Sequence, residues 1–168
     1  MKGLRIFWAL VLVLALAACT DVFLQQPYRV LLEPPQLGYE VDEQGKITVV
    51  ENNAYVQVAP GAPGGYLEGY TYVVVDDSGN EIFPGSFLGS GFVGIEVPEG
   101  KTLENGQIQY VPKRSQPFRF SLDGVVAREH LNRGFPLNWR VQVTWVVTTS
   151  NGNKVSWMQE YQIKYLLR

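Results

Sequence analysis

Trp139-Arg140-Val141-Gln142-Val143-Thr144-Trp145-Val146-Val147, then Asn151-Gly152, then Val155-Ser156-Trp157 and Tyr161-Gln162-Ile163-Lys164-Tyr165 is the stretch that decides the fold. Apolar residues hold the odd positions of the first arm, and Arg140, Gln142 and Thr144 hold even ones. The second arm repeats the pattern, with Val155, Trp157, Tyr161, Ile163 and Tyr165 on odd numbers. Alternation with a period of two means strand, so the two arms predict a hairpin. Asn-Gly favours a two-residue turn. That turn would set Trp145 opposite Met158 and Val143 opposite Glu160, placing Glu160 on the apolar face. A three-residue loop, Asn151–Asn153, instead sets Val147 opposite Trp157 and Val143 opposite Tyr161. A slip of one residue turns every side chain over, so the apolar pattern outweighs the dipeptide. The longer loop, or a bulge of equal effect, is the prediction.

The same period continues upstream. Tyr28, Val30 and Leu32 alternate with Arg29 and Glu33. Further strands are predicted at Lys46–Glu51, Ala54–Val58, Gly69–Val75, Glu81–Phe83, Phe92–Val97, Gln107–Val111 and Phe118–Leu122, with Asn52-Asn53 as a break. Gly69–Val75 is apolar on both faces, which predicts a central strand. One short helix fits Gly124–Asn132, capped by Asp123 and closed by Gly134. Val, Tyr, Thr, Trp and Phe dominate this region, and that bias favours strands. The fold class is therefore all-β, an antiparallel sandwich of about seven to nine strands with one helix. Trp139-Arg140-Val141-Gln142-Val143 resembles the penultimate strand of immunoglobulin-like and fibronectin type III-like domains, although those show Tyr where Trp139 stands. The alternative is a lipocalin-like barrel, for which no opening Gly-x-Trp motif is present.

The amino terminus carries a different message. Lys2 and Arg5 precede an apolar run, Ile6–Ala18, that ends in Leu16-Ala17-Ala18-Cys19. Charged start, apolar core and small residues make a secretory signal. As a helix the run reaches only about 20 Å, too short for the roughly 30 Å of a hydrocarbon core. Its last four residues resemble the lipobox of bacterial lipoproteins. The resemblance implies that residues 1–18 are a signal peptide and that Cys19 is the lipidated first residue of the mature protein. A thiolate is the nucleophile that accepts the lipid. The covalent acyl lipid on Cys19 stands in place of any cofactor, and the membrane is the first partner. Residues 19–27 form the lipidated cysteine and a tether, and residues 28–168 form the domain. By resemblance to Gram-negative lipoproteins, in which an Asp at the position of Thr20 favours retention at the inner membrane, Thr20 implies the periplasmic face of an outer membrane.

Chemistry beyond attachment is scarce. The chain carries 14 Lys and Arg against 16 Asp and Glu, scattered, and loss of the signal removes only basic residues. That is no nucleic-acid footprint. Cys19 is the only cysteine, so neither a disulfide within the monomer nor a zinc cluster is expected. Gly89-Ser90-Gly91-Phe92-Val93-Gly94 matches the dinucleotide fingerprint by letter. Ile95-Glu96-Val97-Pro98 follows, however, and reads as a strand where the motif needs a helix N-terminus. His130 is the only histidine, and no Gly-x-Ser-x-Gly elbow accompanies it, so a surface position on the helix is expected. Asp76, Asp77, Ser78 and Asn80 could offer oxygens to calcium, but the spacing is that of a tight turn. A catalytic role, a metal and a diffusible cofactor are therefore not expected. Tyr66, Tyr70, Tyr72 and Tyr110 lie in or beside glycine-rich stretches and form the candidate binding surface for an envelope protein or a glycan. The loop Pro60–Gly65 beside Tyr66 is its expected centre. The function expected is a non-catalytic binding or structural role in the envelope. Alternatives are an accessory subunit of a transport, secretion or assembly complex, or a carrier of apolar ligands within a closed barrel.

Overall fold

A computed structural model describes residues 26–83 and 89–166. The signal segment, Cys19 and most of the tether lie outside the described residues. The all-β expectation holds, and among the described residues one helix, α1 (Gly124–Asn132), accompanies the strands. Twelve strand segments are present among the described residues: β1 (Tyr28–Glu33), β2 (Leu37–Val41), β3 (Ile47–Val49), β4 (Glu51–Val58), β5 (Gly65–Val75), β6 (Gly89–Val97), β7 (Lys101–Glu104), β8 (Gln107–Tyr110), β9 (Lys113–Arg114), β10 (Phe118–Ser121), β11 (Arg140–Thr149) and β12 (Lys154–Leu166). The count exceeds the expected seven to nine because β2, β7 and the two-residue β9 add segments that the sequence pattern does not predict.

The strands form a sheet β1-β4-β10, with β9 also on β4, and a sheet β3-β2-β12-β11-β5-β6. Among the described residues β7 and β8 pair only with each other. The chain is not wholly antiparallel, since β2 runs parallel to β12. β5 is central, between β11 and β6, as its two apolar faces predict. Strands distant in sequence are neighbours in both sheets, β1 with β4 in one and β5 with β11 in the other.

Inward residues of both sheets share one core. Phe120 of β10 meets Trp145 of β11 at 5.1 Å between ring centroids and Tyr161 of β12 at 6.0 Å. Tyr28 of β1 meets Trp157 of β12 at 5.5 Å. Such tilted and edge-on pairs bury large areas while keeping ring edges on ring faces.

The hairpin β11–β12 pairs odd with odd residues, as the apolar pattern requires, but two steps from the predicted register. Trp145 faces Trp157 and Val147 faces Val155. The loop is three residues long, Ser150–Gly152, one earlier than expected. Gly152 takes the left-handed conformation (φ 82°), and the Thr149 N–H donates to the Asn153 carbonyl at 2.8 Å. The expected break at Asn52-Asn53 is absent, since both lie inside β4 with Asn52 buried. The chain breaks at Val50 instead, whose N–H turns to Gly38. Glu81–Phe83 contributes only an isolated bridge, Val75 to Glu81.

The helix forms as its caps dictate. The Asp123 carboxylate accepts from the Val125 N–H at 2.7 Å. At the other end the Phe135 N–H reaches His130 O and the Gly134 N–H reaches Leu131 O. That is the paired closure of a Schellman motif, with Gly134 at φ 77°.

Candidate functional site

The four candidate tyrosines separate. Tyr70 and Tyr72 point into the core from β5 and cover glycines of β6. A bulge turns them inward, because consecutive Val146 and Val147 of β11 face Gly69 and Leu67, leaving Glu68 as an extra residue. Inward positions therefore switch from Leu67 to Tyr70, Tyr72 and Val74. Tyr72 sits opposite Gly89 and Tyr70 opposite Gly91. A Cβ on Gly89 would fall 2.0 Å from the Tyr72 ring, and one on Gly91 would fall 2.4 Å from the Tyr70 ring. The letters of the dinucleotide fingerprint thus record aromatic cover over strand glycines. All six residues, Gly89–Gly94, lie in β6. Burial and the neighbouring Asp123 carboxylate push the Tyr72 hydroxyl pKa up. Neither ring is a free recognition surface.

Tyr66 and Tyr110 do face outward. Tyr66 stands on the outer face of β5, its hydroxyl 3.1 Å from where a Gly94 Cβ would lie. The Phe92 ring approaches the same point at 2.6 Å, so Tyr66 and Phe92 are neighbours, and Phe92 is 81% exposed. Phe92 was missed in the sequence because the alternation of β6 is masked by glycines on its inward side. Next to this aromatic pair the outer face is polar. Glu68 accepts from Thr148 Oγ1 at 2.7 Å and Lys154 Nζ at 3.0 Å, contacts that lower its pKa.

Tyr110 lies on the β7–β8 hairpin. Register places Lys101, Leu103, Ile108 and Tyr110 on one face and Thr102, Glu104, Gln107 and Gln109 on the other. On the apolar face Leu103 is 72%, Ile108 56% and Tyr110 67% exposed. The tip, Asn105-Gly106, has both residues at positive φ (51° and 77°), the two-residue hairpin turn that this dipeptide favours.

The Pro60–Gly65 loop is a structural tie, not a free recognition loop. Gly61 N–H donates to Gly100 O at 2.8 Å and Gly100 N–H to Ala62 O at 2.9 Å. The Tyr28 hydroxyl donates to Pro63 O at 2.7 Å, and Ser150 N–H to Gly64 O at 2.9 Å.

His130 is buried, correcting the expected surface position. Its Nε2 lies 3.0 Å from Pro136 O, which can only accept, so Nε2 carries the proton. Its Nδ1 then accepts from the Tyr39 hydroxyl at 2.8 Å. Burial lowers the His130 pKa, and burial with the nearby Tyr165 pushes Tyr39 up to about 12. Both ring nitrogens are thus spent on the fold, Nδ1 tying α1 to β2 and Nε2 tying it to the segment that follows the helix. Asp76 is spent in the same manner: one oxygen accepts from the Ser78 and Asn80 N–H groups and the other from Asn80 Nδ2. These contacts lower its pKa and close the loop before Asn80.

Among the described residues no group of three or more His, Cys, Asp or Glu is placed to hold a metal, and no helix is long and apolar enough to cross a membrane. No protein-family model matches the chain, and no curated protein matches it either.

Proposed function

We propose that the protein is a lipid-anchored component of a bacterial envelope whose β-domain binds or presents and does not catalyse. The observation that carries this reading is the order Lys2, Arg5, Ile6–Ala18 and Leu16-Ala17-Ala18-Cys19, a secretory signal ending in a lipobox-like sequence. The side chains with catalytic chemistry support it by being used elsewhere. His130 and Asp76 serve the fold, and Tyr70 and Tyr72 serve the core. The outward pair Tyr66 and Phe92, on the face of β5 and edge strand β6, is the surface offered to an envelope protein or glycan, since exposed aromatics bring area at low entropic cost. An all-β domain suits such a role, because its sheets present faces and edge strands to a partner. By the same lipobox reading the outer membrane's periplasmic face is the location.

Fed labelled palmitate, cells expressing the native chain should label the protein and retain it in the membrane fraction. Cys19→Ser should lose both. A Cys19→Ser chain that still takes up label would overturn the reading.

A further inference from the structure

We propose that the β7–β8 hairpin lies flat on the bilayer surface through Leu103, Ile108 and Tyr110, as a second membrane contact beside the lipid anchor. This rests on the lipid-anchor reading of Cys19. A two-stranded hairpin is marginally stable alone, and one face normally packs on something. Among the described residues the apolar face stays largely exposed, and at its base Tyr110 comes within 3.6 Å of a Cβ built on Gly61.

Chain connectivity selects the occupant. Gln26 lines a depression with Arg29, Val58, Ala59, Pro60 and Pro112. The base of the hairpin borders the same depression. Ala59 N–H donates to Pro27 O, while the Gly61 and Val111 N–H groups both donate to Gly100 O. Entry of the anchored chain and root of the hairpin are therefore neighbours. From Cys19 to Gln26 the chain spans at most about 24 Å, and each hairpin arm is about 13 Å long. A bilayer holding the lipid of Cys19 is thus within reach of the hairpin.

The hairpin's chemistry fits a lipid headgroup region. Its apolar face carries two aliphatic chains and a tyrosine, the aromatic side chain favoured at interfaces. The only charge on that face is Lys101, ion-paired to Glu99 at 2.6 Å. Glu104 lies on the opposite, water-facing side with three uncharged polar residues. Shallow contact leaves the hairpin's outer backbone edges in water, which a deeper position would forbid. The arrangement is the strand counterpart of an interfacial amphipathic helix.

The test uses the full lipidated protein in phosphatidylethanolamine–phosphatidylglycerol vesicles, with lipids brominated on the acyl chain as quenchers. Trp139, Trp145 and Trp157 are buried, so the native protein gives a background that bromine should not change. Ile108→Trp should lose about half its added emission, since interfacial side chains sit within the upper acyl region. Gln109→Trp, on the polar face of the same strand, should be unaffected. The proposal fails if Ile108→Trp is unquenched while the mass of the protein shows lipid on Cys19, and the anchor reading then survives. It fails with the anchor reading if Cys19 carries no lipid. Equal quenching of both variants overturns the flat orientation. Quenching that appears only when protein is diluted to one copy per vesicle assigns the face to a second copy instead and overturns the proposal.

Discussion

His130 shows how a single residue type misleads when read alone. A lone histidine on a short amphipathic segment looks like a solvent-facing residue, because nothing local reveals that Tyr39, ninety-one positions away, donates to its Nδ1. The consequence is a pH dependence of stability. Burial disfavours the imidazolium, so the folded chain holds its proton less tightly than the unfolded chain, whose histidine titrates near 6.5. On acidification the unfolded chain is protonated first, and stability falls as the pH drops through 6.5 toward the lowered folded value. Urea midpoints should therefore decrease between pH 7.5 and 5, and the slope should flatten in His130→Gln. Tyr39→Phe should cost about 1–3 kcal/mol at neutral pH by leaving Nδ1 unpaired in the interior. A His130→Gln chain with an unchanged slope would mean that other groups carry the acid sensitivity.

Hairpin loops are where sequence and structure agree most closely at the element scale. Asp42-Glu43-Gln44-Gly45-Lys46, Asp76-Asp77-Ser78-Gly79-Asn80 and Thr149-Ser150-Asn151-Gly152-Asn153 share one design. In each, the first residue's N–H donates to the fifth residue's carbonyl, at 3.1, 3.0 and 2.8 Å respectively. The fourth residue is a left-handed glycine (φ 80°, 79° and 82°). The first side chain also accepts from the fifth N–H. The turns at Asp76–Asn80 and Thr149–Asn153 were legible from these letters. The exact register was not, because Asn-Gly advertises its own two-residue turn while the Thr149 hydroxyl, bonding Asn153 at both of its backbone groups, fixes the loop one residue earlier. Asn52 misled for a related reason: an Asn pair reads as a turn, and only strand pairing with Phe120 draws it inward. Gly152→Ala meets no atom within 4 Å and should cost only the conformational penalty, about 1 kcal/mol. Gly69→Ala, whose Cβ would fall 2.2 Å from Gly91 O, should cost several-fold more. Equal losses in urea titrations of the two variants would contradict the steric distinction.

For the whole molecule, the sequence carried the composition of the two sheets but not how they meet. Alternation places Val30 and Trp157 inward, yet it is silent on the seam where β1 of one sheet runs beside β12 of the other. The same silence hid the candidate surface, since exposure of Phe92 and Leu103 depends on which faces the sheets leave uncovered. At the seam a side chain takes the part of a missing strand. Gln159 Oε1 accepts from the Val30 N–H at 2.6 Å and from Trp157 Nε1 at 3.0 Å, while its Nε2 donates to Val30 O at 3.1 Å. The amide thus satisfies both backbone groups of one β1 residue and holds the Trp157 ring that packs on Tyr28. Gln159→Leu keeps similar volume but leaves the Val30 N–H without its partner and the Val30 carbonyl with only the Tyr161 hydroxyl, 3.4 Å away, at a half-buried seam. Losing a buried partner costs about 1–3 kcal/mol, so the seam should open before the rest of the fold. Hydrogen exchange should then speed at the Val30 amide while the amides of Val143 and Trp145, inside the ladder of β11, keep their protection relative to the global stability. Uniform acceleration of all three would mean that Gln159 contributes only to overall stability, and an unchanged Val30 rate would mean that β1 is held to β4 alone.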